Sequence, residues 1–379
     1  MLKNIFKKYT FVALIILFGL ILRLYNIGQP PFEFFPERQT QTAEITRNIF
    51  INSWNDFWIP KVRYEKGYPT PQVYEFPIYN LTVAYLYKIF WPSIIFGRLL
   101  SLFFFLISSI FFIKIIRKYA SEMEVVASLI IFVFSPLHVL ISRSFQPDEM
   151  AFAFLMISVY FSSLFLLTLS GLIKFPFYLF GVINVIKVKN LNVGLIKYLA
   201  FLVPILLWGI RASQIMKNAG NGNGYSLFNW FNPLFFIDYN YYVSTFNIFH
   251  INVLTTLGLL FFVVGLFKTW GEKRMGIWKR WLFISLLYVA VFNRHVSTHE
   301  YYSLPLIPPL AAFAGAGIVT LVNSVSLNNS INKWVFSLLI GFLLFFALII
   351  PSINKISKSD FSSADPVLIE RYNNIVNIK

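Results

Sequence analysis

Three stretches of this chain bring carboxylates next to arginines. The first runs Glu37-Arg38-Gln39-Thr40-Gln41-Thr42-Ala43-Glu44 and is followed by Glu75. The second is Arg143 with Pro147-Asp148-Glu149, and the third is Arg294-His295 with His299-Glu300-Tyr301-Tyr302. Carboxylates can take a proton from an attacking group, and arginine forks suit a phosphate-bearing ligand. Each stretch also has a plainer reading. Glu37, Gln41, Glu44 and Asn48 would share one face of a helix, which is equally a solvated polar face. An acid at a helix start, such as Asp148, is favoured by the helix dipole alone, and a single arginine near lipid can contact anionic head groups. His295 and His299, at i and i+4, have the spacing of a metal pair but no evident third ligand, so hydrogen bonds to a sugar or phosphate suit them better.

The elements that hold these groups are membrane helices. With 57% hydrophobic, 19% aromatic and 13% charged residues and a mean hydropathy of +0.67, the 379-residue chain is not that of a soluble globular protein. Apolar runs of about 20 residues, the length of a bilayer-crossing helix, recur along it. They predict an all-α, polytopic transmembrane bundle of about 9–11 spans. The clear passes are expected near Tyr9–Ile27, Gly97–Arg117, Val125–Ile141, Met150–Thr168, Tyr198–Ile210, Val253–Phe267, Trp281–Phe292, Leu304–Leu321 and Trp334–Pro351. Ser170–Ile186 reads as a hairpin or re-entrant piece with Lys174 near its tip. The first run follows Lys3, Lys7 and Lys8 but has no small-residue cleavage site, so it is expected to stay as a helix. With no cysteine, disulfides and thiolate metal sites are excluded.

Basic clusters at Lys3 to Lys8, Lys114 to Lys118, Lys187 to Lys197 and Lys268 to Arg280 orient the chain with its N-terminus in the cytoplasm. Glu122, Glu124 and Glu272 then lie inside and the other acids outside. Six of the sixteen acidic residues fall between Gln29 and Tyr79. That polar loop, 28–96, is expected to be exofacial and to carry two interfacial helices: one after the prolines, near Pro36–Phe50, and one over Ile78–Trp91. Residues 1–351 form the membrane domain, and 352–379 a short exofacial tail. Trp230, Phe231, Phe235, Tyr239 and Tyr241 read as interfacial anchors before an acceptor wall, and Gly220 to Gly224 as a flexible loop. The small residues from Ala311 to Gly317 suit close helix packing.

Taken in order, Arg38-Gln39-Thr40-Gln41-Thr42-Ala43 with Glu75-Phe76-Pro77, Arg143 with Pro147-Asp148, and Arg294 with His299-x-Tyr301-Tyr302 and Pro308-Pro309 resemble the membrane glycosyltransferases of the C-type fold. The branch is similar to glycosyltransferase family 39, which includes protein O-mannosyltransferases and the lipid A aminoarabinose transferase. The resemblance runs from the first helix to about Leu321. It implies inverting transfer of a sugar from a polyprenyl-phosphate donor to a glycan, lipid or protein acceptor at the outer face of the membrane, and the Lys-, Asn- and Ile-rich composition points to a prokaryotic cell membrane. Nucleic acid is not an expected partner. The resemblance makes Glu37, Glu75 and Asp148 the candidate catalytic acids and Arg38, Arg143, Arg294 and Lys174 the donor-phosphate ligands. Gln41, Glu44, His299 and Tyr301 would position substrate. Gln41 stands where family members often carry Asp, which leaves Glu37, Glu44 and Glu75 as alternative bases. No cofactor is implied with certainty, and a divalent cation stays open. The rival readings are a flippase or transporter of a lipid-linked sugar and a polysaccharide polymerase or ligase.

Overall fold

The computed structural model describes residues 2–52, 54–63, 69–185, 190–220, 230–324, 330–357 and 366–376. The expected glycine loop beyond Gly220 and the start of the basic stretch at Lys187 lie outside them. The chain opens with α1 (Leu2–Leu24), α2 (Pro36–Asn52) and α3 (Trp54–Trp58). A two-stranded antiparallel ribbon follows, β1 (Lys61–Arg63) with β2 (Pro69–Pro71), in which Val62 faces Thr70. Next come α4 (Ile78–Ile89), α5 (Ile94–Ile116), α6 (Glu122–Phe134) and α7 (Pro136–Arg143). After these run α8 (Asp148–Phe161), α9 (Leu164–Ile173), α10 (Val182–Val185) and α11 (Leu191–Asn218). The remainder is α12 (Tyr239–Asn247), α13 (Thr255–Thr269), α14 (Gly276–Val291), α15 (Asn293–Thr298), α16 (Ile307–Ser324), α17 (Ser330–Ser357) and α18 (Pro366–Val376).

Among the described residues, five helical stretches are long and apolar enough to cross a bilayer: Ile94–Ile116, Leu191–Asn218, Tyr239–Thr269, Glu300–Ser324 and Leu338–Ser357. A sixth arises if α6 and α7 count together. The larger number expected from sequence also counted shorter apolar helices, and the breaks in these have local causes. The run expected over Val125–Ile141 bends by 56° at Ser135-Pro136, because proline has no N–H to donate and its ring crowds the preceding turn. The run expected over Met150–Thr168 divides at Ser162, whose left-handed backbone (φ 56°) ends α8, and Ser163 caps the start of α9. Ser170–Ile186 becomes the end of α9, a 3₁₀ turn over Phe175–Gly181, and α10. His299 to Tyr302, expected in a loop, leads into a 3₁₀ turn that continues into α16.

The chain divides into two compact units. One comprises Leu24–Phe105, Leu140–Asn229 and Lys355–Lys379. Within it α2 packs on α4, which at 12 residues is too short to span, and on α18 from the tail. Ile45 and Ile49 of α2 meet Phe57, Val62 and Ala84 in an apolar core. Asn80 of α4 donates to the Thr42 carbonyl and the Thr46 hydroxyl (2.8 and 3.1 Å), which joins the two helices by polar contacts as well.

The other unit comprises Met1–Arg23, Leu106–Val139 and Trp230–Asn354. Ser121 caps α6, Glu124 closes the capping box, and Arg274 makes two parallel hydrogen bonds to Glu124 at 2.6 and 2.8 Å. The small residues of α16 have their expected use: Gly317 lies against the Phe261 carbonyl and Gly265 of α13 against the Phe313 carbonyl, so the two backbones nearly touch. Gly317→Leu should therefore push α13 from α16 and cost at least about 1–3 kcal/mol as overpacking. Gly341→Ala, with open space around it, should leave the thermal melting of the detergent-purified protein unchanged.

Candidate active site

The helix beginning at Pro36 follows a left-handed turn at Phe35 (φ 42°). Gln39 anchors that start. Its side-chain nitrogen donates to the Phe34 carbonyl at 2.6 Å, and its oxygen accepts from the Phe145 amide at 2.9 Å. The first turn of α2 is thereby tied to the link between α7 and α8, which runs from Arg143 at the end of α7 to Asp148 at the start of α8. Phe145 in turn lies flat against Gly97 of α5, where a Cβ would collide with its ring. From this anchored turn Arg38 pairs with Glu75 and donates to the Gln41 side chain at 3.3 Å.

Glu75 stands on the segment between β2 and α4. The Phe76 amide donates to the Leu172 carbonyl of α9 at 2.9 Å. Val73 and Phe76 pack with Trp208, Ala212 and Met216 of α11, and the Phe76 ring meets Trp208 edge-on with centroids 5.0 Å apart. Two residues beyond Leu172, the chain reaches Lys174. Its ammonium is 2.7 Å from the Asp148 carboxylate, with Asp148 fully buried and Lys174 nearly so. The charges of Arg38 and Glu75 also act on Lys174. Glu75, Arg38, Lys174 and Asp148 therefore form one polar cluster of alternating charge within this unit. Beside it, burial pushes the Tyr74 phenol above the usual tyrosine range, against the opposing pull of Arg38, so this tyrosine stays neutral near pH 7.

A second buried cluster lies in the same unit. The Glu33 carboxylate accepts from Arg98 at 2.7 Å and from Arg143 at 3.1 Å, and all three side chains are fully buried. Arg98 also donates to the carbonyls of Ile27 and Gln29 (2.6 and 2.9 Å), and Arg143 to that of Tyr25 (2.7 Å). Arg143 was expected on a donor phosphate; its charge is instead balanced by Glu33. Glu33, Arg98 and Gln39 are the residues that reading by motif passes over. Their signal is present all the same, since an acid inside Phe32-Glu33-Phe34 and an arginine in the first turns of an apolar span each demand a buried partner.

The remaining candidates divide between the units. Glu37 is exposed at the first turn of α2 and Glu44 is buried on the same helix. Arg294, His295, His299 and Tyr301 belong to the other unit. There Trp230 stacks on His295 with centroids 4.2 Å apart, and His299 meets Tyr301 at 5.4 Å. Asn293 exchanges hydrogen bonds with Asn232 (2.9 and 2.8 Å), which fixes the turn that carries Trp230. Arg294 projects to the surface with no ion pair among the described residues. His295 and His299 stack at 5.8 Å, and no group of three or more metal-ligating side chains forms among the described residues. Tyr239 and Tyr241, expected in an outer loop, lie on α12.

No protein-family model matches the chain, and no curated protein matches it. Solved structures do. Apo ArnT from Cupriavidus metallidurans superposes with a TM-score of 0.54 at 11% identity, over 97% of this chain and 78% of that one. ArnT from the same organism bound to undecaprenyl phosphate gives 0.52 at 12% identity, over 96% and 77%. The chain is similar in fold to ArnT. ArnT is a polytopic helical protein of the C-type fold, so the fold class expected from sequence holds, and the chain is an integral membrane protein of that architecture. At this identity the likeness to ArnT is one of fold, and the chemistry rests on this chain's own residues. Glu33→Gln should cost about 3–5 kcal/mol, because it removes the buried carboxylate that two buried guanidinium groups share. Glu37→Gln, at an exposed position, should stay within about 0.5 kcal/mol of the parent in thermal unfolding.

Proposed function

We propose that the protein is an inverting glycosyltransferase that moves a sugar from a polyprenyl-phosphate donor to an acceptor hydroxyl or amine at the outer face of a prokaryotic cell membrane. The observation that carries this reading is the cluster in which Glu75 and Asp148 alternate with Arg38 and Lys174. It holds the two kinds of group that the reaction requires, in a protein similar in fold to ArnT, one structure of which contains undecaprenyl phosphate.

In the reaction, the acceptor oxygen or nitrogen attacks the anomeric carbon from the side opposite the phosphate. The new bond forms as the bond between that carbon and the phosphate oxygen breaks, and the polyprenyl phosphate leaves with the electron pair. A carboxylate takes the acceptor proton, a contribution of roughly 10²–10⁴-fold. Glu75 suits that role better than the exposed Glu37, since its ion pair with Arg38 holds it beside the other charged groups. Asp148 orients Lys174 and the acceptor. Arg38 and Lys174 meet the charge that grows on the departing phosphate. Gln41 and Glu44, on the same helix as Arg38, position substrate. Arg143 is better assigned to holding the fold through Glu33 than to the donor.

The test uses purified protein in lipid, a panel of radiolabelled polyprenyl-phosphate monosaccharides, and membrane extract as acceptor. Label should move from one donor to lipid, glycan or protein. Glu75→Gln and Asp148→Asn should insert normally and lose about 10²-fold or more of the transfer rate. Full activity in both would remove the proposed centre. Passage of intact donor across sealed vesicles without transfer would replace the enzyme with a transporter.

A further inference from the structure

The steps above make no use of an open groove lined by Ile49 of α2, Trp54 of α3, and Leu81, Ala84, Tyr85 and Lys88 of α4. Its floor is apolar, with Ile49 and Ala84 each 2% exposed. Residues 81, 84, 85 and 88 recur at i, i+3, i+4 and i+7, so a single stripe of α4 faces it. Its rim is aromatic and basic. The Lys88 ammonium lies 5.6 Å from the centre of the Tyr85 ring, and no carboxylate pairs with it among the described residues.

Chain geometry sets the depth of this groove. Ile89, Phe90 and Trp91 follow Lys88 and are 69%, 56% and 63% exposed, and the apolar span α5 begins at Ile94. The connection folds back on that span: Phe90 stacks on Phe96 with centroids 5.3 Å apart, and Trp91 meets Phe96 at 5.6 Å. Lys88 therefore stands at the end of a bilayer-crossing helix, among aromatic residues of the kind that settle at head-group level. An exposed apolar surface with a cation at its edge matches a lipid whose chain lies on the floor and whose phosphate meets the cation. Among the described residues that line the groove there is no acid to receive the ammonium of a zwitterionic head group. A second copy of this chain, with a net charge of +16, brings no evident countercharge to Lys88.

We propose that this groove binds an anionic phospholipid of the surrounding bilayer, with Lys88 on its phosphate and one acyl chain along Ile49, Leu81 and Ala84. The site is separate from Glu75 and its partners, and its test does not depend on transfer activity. The intact protein is delipidated in mild detergent and titrated with phosphatidylglycerol or phosphatidylcholine of the same chains, and bound lipids are counted by native mass spectrometry. The parent should retain one more phosphatidylglycerol than phosphatidylcholine. Lys88→Gln should weaken that extra site about fivefold, the worth of one cation near an anionic lipid surface. Lys88→Arg should preserve it, which separates lost charge from lost folding, and Lys88→Gln should keep the parent's Tm without lipid. Equal retention of phosphatidylglycerol by Lys88→Gln and the parent would overturn the proposal. So would equal affinity of the parent for the two lipids, or a lipid-independent change of oligomeric state in Lys88→Gln, which would make the groove a contact between copies.

Discussion

A charge that leaves water for an apolar interior has to find its opposite, and Glu33 between Arg98 and Arg143 is where this chain meets that requirement most strictly. All three side chains are fully buried. The arrangement ties the loop after α1, the first turns of α5 and the end of α7 to one carboxylate. The spare donors of the two arginines go to the carbonyls of Tyr25, Ile27 and Gln29, so a stretch of chain without regular structure is satisfied as well. Gln39 extends the same lattice by joining the start of α2 to Phe145. The polar cluster of Glu75, Arg38, Lys174 and Asp148 stands on these supports. Arg38 immediately precedes Gln39, and Asp148 comes three residues after Phe145.

Helix breaks bring the polar groups to usable places. An unbroken span over Met150–Thr168 would carry its chain past the cluster; ending α8 at Ser162 and restarting at Ser163 returns it, through α9, to Lys174. The segment with Glu75 has no helix or strand of its own and is held from outside, by the Leu172 carbonyl and by the aromatic contact of Phe76 with Trp208. This is a common solution for a site that needs charged groups close together: rigid helices supply the frame, and loops clipped to them supply the chemistry. The other unit follows a different rule. There glycines at the α13–α16 crossing remove side-chain bulk, and packing of backbone on backbone replaces polar pairing as the main constraint.

The tail shows how short segments acquire a role from context. In the folded unit, α18 lies on α2, Tyr372 meets Phe32 edge-on with centroids 5.9 Å apart, and the Gln29 side chain donates to the Ile356 carbonyl at 2.8 Å. These contacts brace the helix that carries Arg38.

Composition and period alone determined the class of this protein. Apolar runs of bilayer length leave the backbone no alternative to helices, and the superposition on the polytopic helical fold of ArnT agrees with that class. The helix with Glu37, Arg38 and Gln41, the short helix after Glu75, and the small-residue crossing on α16 were legible because each depends on neighbours within a few turns. What paired with what was not legible. Arg143 looked like Arg38 in sequence, each an arginine beside an outer acid, yet Glu33 lies 110 positions from Arg143 and takes its charge, while Glu75 takes that of Arg38. Likewise Lys174 finds Asp148 only because α8 and α9 fold back on each other. Local periodicity follows from backbone geometry and is written in consecutive residues. The choice of partner for a buried charge follows from which distant segments exclude water around it, and that is decided only when the chain has packed.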